Sequence, residues 1–275
     1  FSRFSLLENE KSAWAPVPRQ FKSSTLAFTG TLKWENPPPS LGTRFSIIPY
    51  LSSQTFENID AGEKISANSD FGLDGKITLS TSLNVDLTVN PDFSQVEVDK
   101  QRTNLDRFEL FFPEKRQFFL ENSDLFASLG NKHIRPFFSR RIGFNSPVKI
   151  GARFSGKIGS NYRLGIMNVQ TEPGDDNLSS VFTVATIQRK MFSRSSLSTF
   201  IVNKNLDNID DNITSYNRIV GLDFNLASAD NLWIGKAFYH HSFYKNAGNK
   251  PFATTGSLKY NNGVLSADID YSFVG

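Results

Sequence analysis

The sequence predicts an all-β protein: an antiparallel transmembrane β-barrel of roughly twelve strands carrying a long internal, plug-like insertion, with a soluble β-sandwich as the alternative. Three observations predict it. Short segments alternate apolar and polar residues, as in Val148, Ile150, Ala152, Phe154 and Ile158 against Lys149, Arg153, Ser155 and Lys157. A two-residue period puts successive side chains on opposite faces of a sheet. Several of these segments reach the roughly 9–11 residues that a tilted strand needs to cross a bilayer, against a usual length of about 5–6 in soluble proteins. Tight polar joints also alternate with longer polar connections, the layout of outer-membrane barrels.

The elements follow in order. Residues 1–22 carry Trp14-Ala15-Pro16-Val17-Pro18-Arg19 and read as a linker or the tail of a preceding domain, because paired prolines favour an extended segment without ladder donors. Residues 23–275 read as the barrel. Its first strands are Thr25–Trp34, Thr43–Ser52, Asp70–Ser80 and Leu83–Asn90. Pro91–Ser146 then breaks the pattern and is too long for an ordinary connection. Its many phenylalanines, among them Phe111, Phe112, Phe118, Phe119, Phe126, Phe137 and Phe138, argue for an ordered insertion. A short helix is expected near Asn104–Phe111. Further strands follow, including Pro147–Ile158, Asn161–Val169, Thr214–Ala227, Leu232–Tyr244 and Gly263–Val274, joined by turns such as Gly159-Ser160 and Asn261-Asn262-Gly263. Phe273 is followed by Val274 and Gly275, so the barrel is expected to extend beyond the covered chain.

Composition narrows the classes. The chain has 275 residues, 26 of them Phe and none Cys, and a net charge of +3. Zero cysteine excludes a disulfide scaffold, a thiol nucleophile and a cysteine zinc site. The small net charge gives no reason to expect nucleic acid. No stretch approaches the roughly 18 apolar residues of a transmembrane helix, a test to which barrels are blind.

Three strings carry a family resemblance: Val89-Asn90-Pro91-Asp92-Phe93-Ser94-Gln95-Val96-Glu97, Phe111-Phe112-Pro113-Glu114-Lys115-Arg116-Gln117-Phe118-Phe119-Leu120-Glu121 and Phe138-Ser139-Arg140-Arg141-Ile142-Gly143. Together they resemble a family of Gram-negative outer-membrane proteins of unassigned function. Members of that family carry an N-terminal domain like the family 9 carbohydrate-binding modules, followed by a β-barrel. The resemblance covers Phe1 to about Ile166 and implies an integral outer-membrane location more than an activity.

Candidate sites are few. Glu97, Asp99, Glu109, Glu114, Glu121 and Asp124 invite a glycosidase reading. Salt bridges pinning the insertion account for them more simply, with Arg107, Arg116, Arg140 and Arg141 as counter-charges. The expected anchors are therefore Arg107, Glu109, Glu114, Arg116, Glu121, Arg140 and Arg141. The expected lumen lining is Asn84, Asp86, Lys149, Arg153, Lys157, Asp223, Asn225, Asp268 and Asp270. His240-His241 are adjacent on a strand and point to opposite faces, so they make a poor metal pair. Asp207, Asp210 and Asp211 lack the spacing of a calcium loop. No catalytic residue, metal or cofactor is expected. Trp34, Tyr50, Tyr162, Phe192, Trp233, Phe243, Tyr244 and Tyr260 suit interfacial girdles.

The expected function is non-enzymatic: passage of solutes or a membrane platform. A carbohydrate-binding or glycoside hydrolase-like surface protein and a structural subunit of an envelope assembly are the alternatives. Outer-membrane lipid is the expected partner, with glycans or other envelope proteins as further candidates.

Overall fold

The computed structural model describes residues 2–17, 28–36, 44–56, 66–91, 111–144, 146–173, 178–208, 214–245 and 251–275. Among these residues the protein is all-β. A hairpin of β1 (Ser2–Ser5) and β2 (Glu10–Ala13) stands apart. One eleven-stranded antiparallel sheet follows, in the order β13-β12-β11-β10-β9-β8-β7-β6-β5-β4-β3. Its strands are β3 (Phe45–Phe56), β4 (Ser66–Ser80), β5 (Leu83–Val89), β6 (Val148–Ile158), β7 (Tyr162–Thr171), β8 (Leu178–Met191), β9 (Ser195–Asn208), β10 (Thr214–Ala227), β11 (Trp233–Tyr244), β12 (Phe252–Asn261) and β13 (Ser266–Val274). Every strand pairs with its sequence neighbours, so the sheet is one continuous meander. β3 and β13 form its two edges and do not pair with each other. Pro49, which has no N–H for a ladder, sits in edge strand β3.

The turns explain themselves locally. At the β10–β11 turn, the Ser228 hydroxyl accepts from Trp233 N (2.9 Å), Asp230 accepts from Leu232 N (3.0 Å), and Asn231 takes φ 64°. At the β12–β13 turn, Asn262 Oδ1 accepts from Leu265 N (2.7 Å) and Gly263 takes φ 88°. These turns and those after β4, β6 and β8 lie at one end of the meander. The C-terminal ends of β3, β5, β7, β9 and β11 lie at the other.

The two faces of the sheet have inverted polarity. Asn84, Asp86, Thr88, Arg153, Ser155, Arg163, Gln188, Ser198, Asp223 and Asn225 point to one face, where Ser155 is 0 % and Asp223 1 % exposed. Ile150, Ile166, Ile187, Ile201, Leu222 and Ile269 point to the other and remain open. Burial of the polar face is the insertion's work. Helical turns α1 (Gln117–Leu120) and α2 (Asp124–Ala127) and a 3₁₀ turn at Ser139–Arg141 lay Phe118, Phe119, Leu125, Phe126, Phe137 and Ile142 against Val148, Met167, Val169 and Val184.

The structure departs from the sequence reading at Thr25–Trp34 and at Tyr50. Residues 28–34 of the expected first strand Thr25–Trp34 form no strand, and 25–27 lie outside the described residues. Alternation there is real, but alternation does not supply a ladder partner. Within residues 1–22 the described part forms the β1–β2 hairpin, its turn closed by Asn9 at φ 48°. The helix expected near Asn104–Phe111 falls outside the described residues except for Phe111, which is not helical, and the helical turns come later. Tyr50 is not a girdle residue: its ring covers Gly72 on the polar face, and its hydroxyl donates to Asn90 O (2.7 Å).

Candidate functional site

The site is the polar face together with the insertion seated on it. Two glycines set how closely they approach. A Cβ on Gly151 would lie 3.0 Å from the Phe118 ring, and one on Gly165 would lie 2.7 Å from the Phe126 ring. Glycine on β6 and β7 therefore makes the slots into which the insertion's rings drop. Arg153 continues the contact by holding its guanidinium 5.4 Å from the Phe118 ring centre.

Ion pairs then tie the insertion to the wall. Glu121 accepts from Asn84 (2.7 Å) and pairs with Lys76 of β4. Arg153 pairs with Asp86 of the neighbouring strand (2.8 Å) and donates to the Phe118 carbonyl. Arg163 forms a two-pronged pair with Asp124 (2.6 and 2.9 Å), the planar geometry that suits guanidinium to carboxylate. Asn122 Nδ2 donates to Ser155 Oγ (3.0 Å). Farther along, Gly130 N donates to Asp223 Oδ2 (2.7 Å), Lys236 pairs with Asp223 (2.9 Å), and Asn131 Nδ2 donates to Thr255 Oγ1 (3.3 Å).

A second cluster folds the insertion onto itself. Arg116 grips Glu114 through Nε (2.9 Å) and Nη2 (2.8 Å) and donates to the carbonyls of Ile142 (2.5 Å) and Ser139 (2.6 Å). Its guanidinium lies 4.2 Å from the Phe119 ring centre. Glu114 also accepts from the Ser139 hydroxyl (2.6 Å). Burial alone would push the Glu114 carboxyl up. The Arg116 hydrogen bond and charge, with Ser139 and the Arg116 backbone N–H, outweigh burial and hold it below the ordinary 4.5.

The sequence-selected residues are distributed unevenly over this site. Asn84, Asp86, Arg153, Lys157, Asp223 and Asn225 share the polar face. Asp268 and Asp270 occupy the same face on edge strand β13, opposite Lys259 and Ser257, and stay exposed. Lys149 sits at a register shift at the start of β6 and is exposed. Glu121 reaches the wall, whereas Glu114 and Arg116 bond within the insertion. Arg140 and Arg141 form the 3₁₀ turn whose Ser139 carbonyl Arg116 holds. Arg107 and Glu109 lie outside the described residues. His240 faces inward between Phe200 and Phe238, and His241 faces outward beside Tyr239. No group of three His, Cys, Asp or Glu among the described residues is placed to hold a metal.

Lys76, Asn122, Arg163, Lys236 and Thr255 were not selected from sequence. Each is an ordinary polar residue on an alternating strand or in a loop, and only long-range register reveals its partner. Arg163 is 39 residues from Asp124, and Thr255 is 124 from Asn131.

Residues 39–157 match the model of a family described as a domain of unknown function, DUF5916. The match runs from before β3 almost to the end of β6 and so contains the whole insertion. No curated protein and no solved structure matches the chain.

Proposed function

We propose that the chain is an integral outer-membrane β-barrel protein, non-enzymatic, with the insertion as its plug, acting in passage of solutes. The inverted polarity of the sheet carries this reading. A sheet in water buries its apolar face; this one buries charged side chains and exposes a continuous apolar face, the arrangement a bilayer requires. β6, β7 and β11 are 11, 10 and 12 residues long, enough to cross. Trp233 and Tyr260 lie with ring centres 4.8 Å apart on that apolar face at the short-turn end, as in an interfacial aromatic belt.

Curling of the sheet supports the barrel form. The stretch from Glu121 to Asn131 touches both β4 and β12. On a flat sheet those strands lie eight intervals apart, about 38 Å at ~4.8 Å each. Ten residues with one helical turn reach about 25 Å, the Glu121 and Asn131 side chains add about 4 Å each, and strand side chains stand perpendicular to the sheet, so the span falls short. In a bilayer no strand edge goes unpaired, so the reading requires β3 and β13 to pair with each other or with further strands.

The test is reconstitution. Trp233 fluorescence should be quenched by lipids brominated on their acyl chains, and planar bilayers should show small conductance steps that grow when the plug is loosened by Arg163→Ala. A protein that stays in solution with liposomes, unquenched, overturns the membrane reading. Insertion without conductance in either form overturns passage and leaves a membrane platform.

A further inference from the structure

At the short-turn end of the polar face, cations gather without matching acids. Lys157 of β6 stands directly opposite Arg163 of β7. Lys190 of β8 is one diagonal step away, its backbone N–H on Asn161 O (2.7 Å). Arg194 follows in the β8–β9 turn. Like charges directly opposite one another disfavour a sheet. Among the described residues only Arg163 has a carboxylate partner, Asp124. The Lys157 ammonium donates to the Thr29 hydroxyl (2.8 Å), the Lys190 ammonium lies 5.7 Å from the Phe28 ring centre, and Arg194 Nη2 reaches only Pro16 O (3.5 Å). The neighbouring Asp223 is already engaged by Lys236, Asn225 and Gly130.

The same place holds polar atoms with nothing to bond. Among the described residues, Arg163 Nε, Arg194 Nε and Ser196 Oγ are buried without a partner. Their residues are 4 %, 9 % and 1 % exposed. Ser196 stands directly opposite Lys190. Such groups are normally paired when buried, so a cluster of orphans beside unmatched cations marks a place for a ligand rich in acceptors.

We propose that this end of the polar face binds a small polyvalent oxyanion of the phosphate or phosphate-ester class. Lys157 and Lys190 supply charge, the Arg163 Nε–H and the Ser196 hydroxyl supply directed donors, and Lys157 and Lys190, being only half-buried, leave an entry. One carboxylate against four cations leaves more charge than a monocarboxylate would balance. The Phe28–Thr29 segment over the two lysines limits the ligand to a small one. The proposal does not depend on the membrane reading, because binding is measured on detergent-solubilised protein.

The probe is inorganic pyrophosphate, titrated calorimetrically into the full chain at fixed chloride, with acetate as the monovalent comparison. Saturable binding of one pyrophosphate per chain is expected, weakened at least tenfold by K157Q/K190Q and retained by K157R/K190R. Should the glutamine pair fail to fold, Ser196→Ala removes a single hydroxyl and should weaken binding at least threefold. Absence of saturable binding, equal affinity for acetate, or unchanged affinity in the folded glutamine pair or in Ser196→Ala overturns the site.

Discussion

Gly165 shows how a single residue sets the fit between sheet and insertion. Adding one carbon there drives it to 2.7 Å from the Phe126 ring. Gly165→Ala should cost about 1–3 kcal/mol by overpacking. Denaturant unfolding in detergent checks this, and Phe126→Leu in the same background should recover part of the loss, a coupling that a double-mutant cycle isolates. Glu114 gives a second residue-scale prediction. Its carboxyl is held below 4.5, so the stabilisation it supplies is fully present above that value and is lost as pH falls through the lowered one. Proteolysis of the insertion by an acid-active protease should therefore rise as pH falls below the ordinary 4.5 in the wild type and change less with pH in Glu114→Gln. Glu114 and Arg116 were both selected from sequence as anchors to the wall, whereas they bond each other within the insertion. The pairing of Asp124 with Arg163 was not legible, because nothing local connects a loop carboxylate to one guanidinium among many.

At the scale of elements, alternation located most of the strands from β3 to β13, and with them the division of each strand into two faces. It also selected Thr25–Trp34, where no ladder forms in the described part, since a period of two is a property of one segment and a strand needs a neighbour. The short β1–β2 hairpin was missed because four-residue strands offer too few alternations to read. Face assignment yields a direct test. Arginine at Leu87, Phe154 or Ile269, all on the apolar face, should cost about 2–4 kcal/mol near mid-bilayer. Arginine at Asp268, on the polar face and exposed, should cost far less. Ser155 shares the polar face yet belongs with the costly set, because it is fully buried beneath Asn122. Folding yields from detergent into vesicles measure all five, and a penalty at Asp268 equal to those at Leu87, Phe154 and Ile269 would refute the assigned register.

For the whole molecule, the seating of the insertion was the hardest feature to read. Its phenylalanines and charges pointed to an ordered segment, but its own Arg116 pairs with Glu114, and the counter-charges of Glu121 and Asp124 come from the wall. Arg153 illustrates the consequence: it is 2 % exposed, pairs with Asp86 and holds the Phe118 carbonyl. Arg153→Ala leaves both acceptors unmatched and should cost about 3–5 kcal/mol locally. Limited proteolysis should then cut within 111–144 while the strands stay protected, and single-channel steps should enlarge. Cleavage at equal rates in mutant and wild type would show that Arg153 does not hold the insertion.

The meander and the insertion differ in how far along the chain their contacts reach. Each strand needs only the next one, so the sheet can assemble as a succession of hairpins with modest loop-closure cost at every step. The insertion's partners Asp223 and Thr255 are instead 93 and 124 residues downstream. It emerges in the middle of the chain but cannot complete its bonds until β10 and β12 exist. Assembly therefore has a built-in sequence in time: zippering first, docking last. Refolding should show two phases, a fast gain of β-structure and a slower burial of the insertion, with Gly165→Ala retarding only the second.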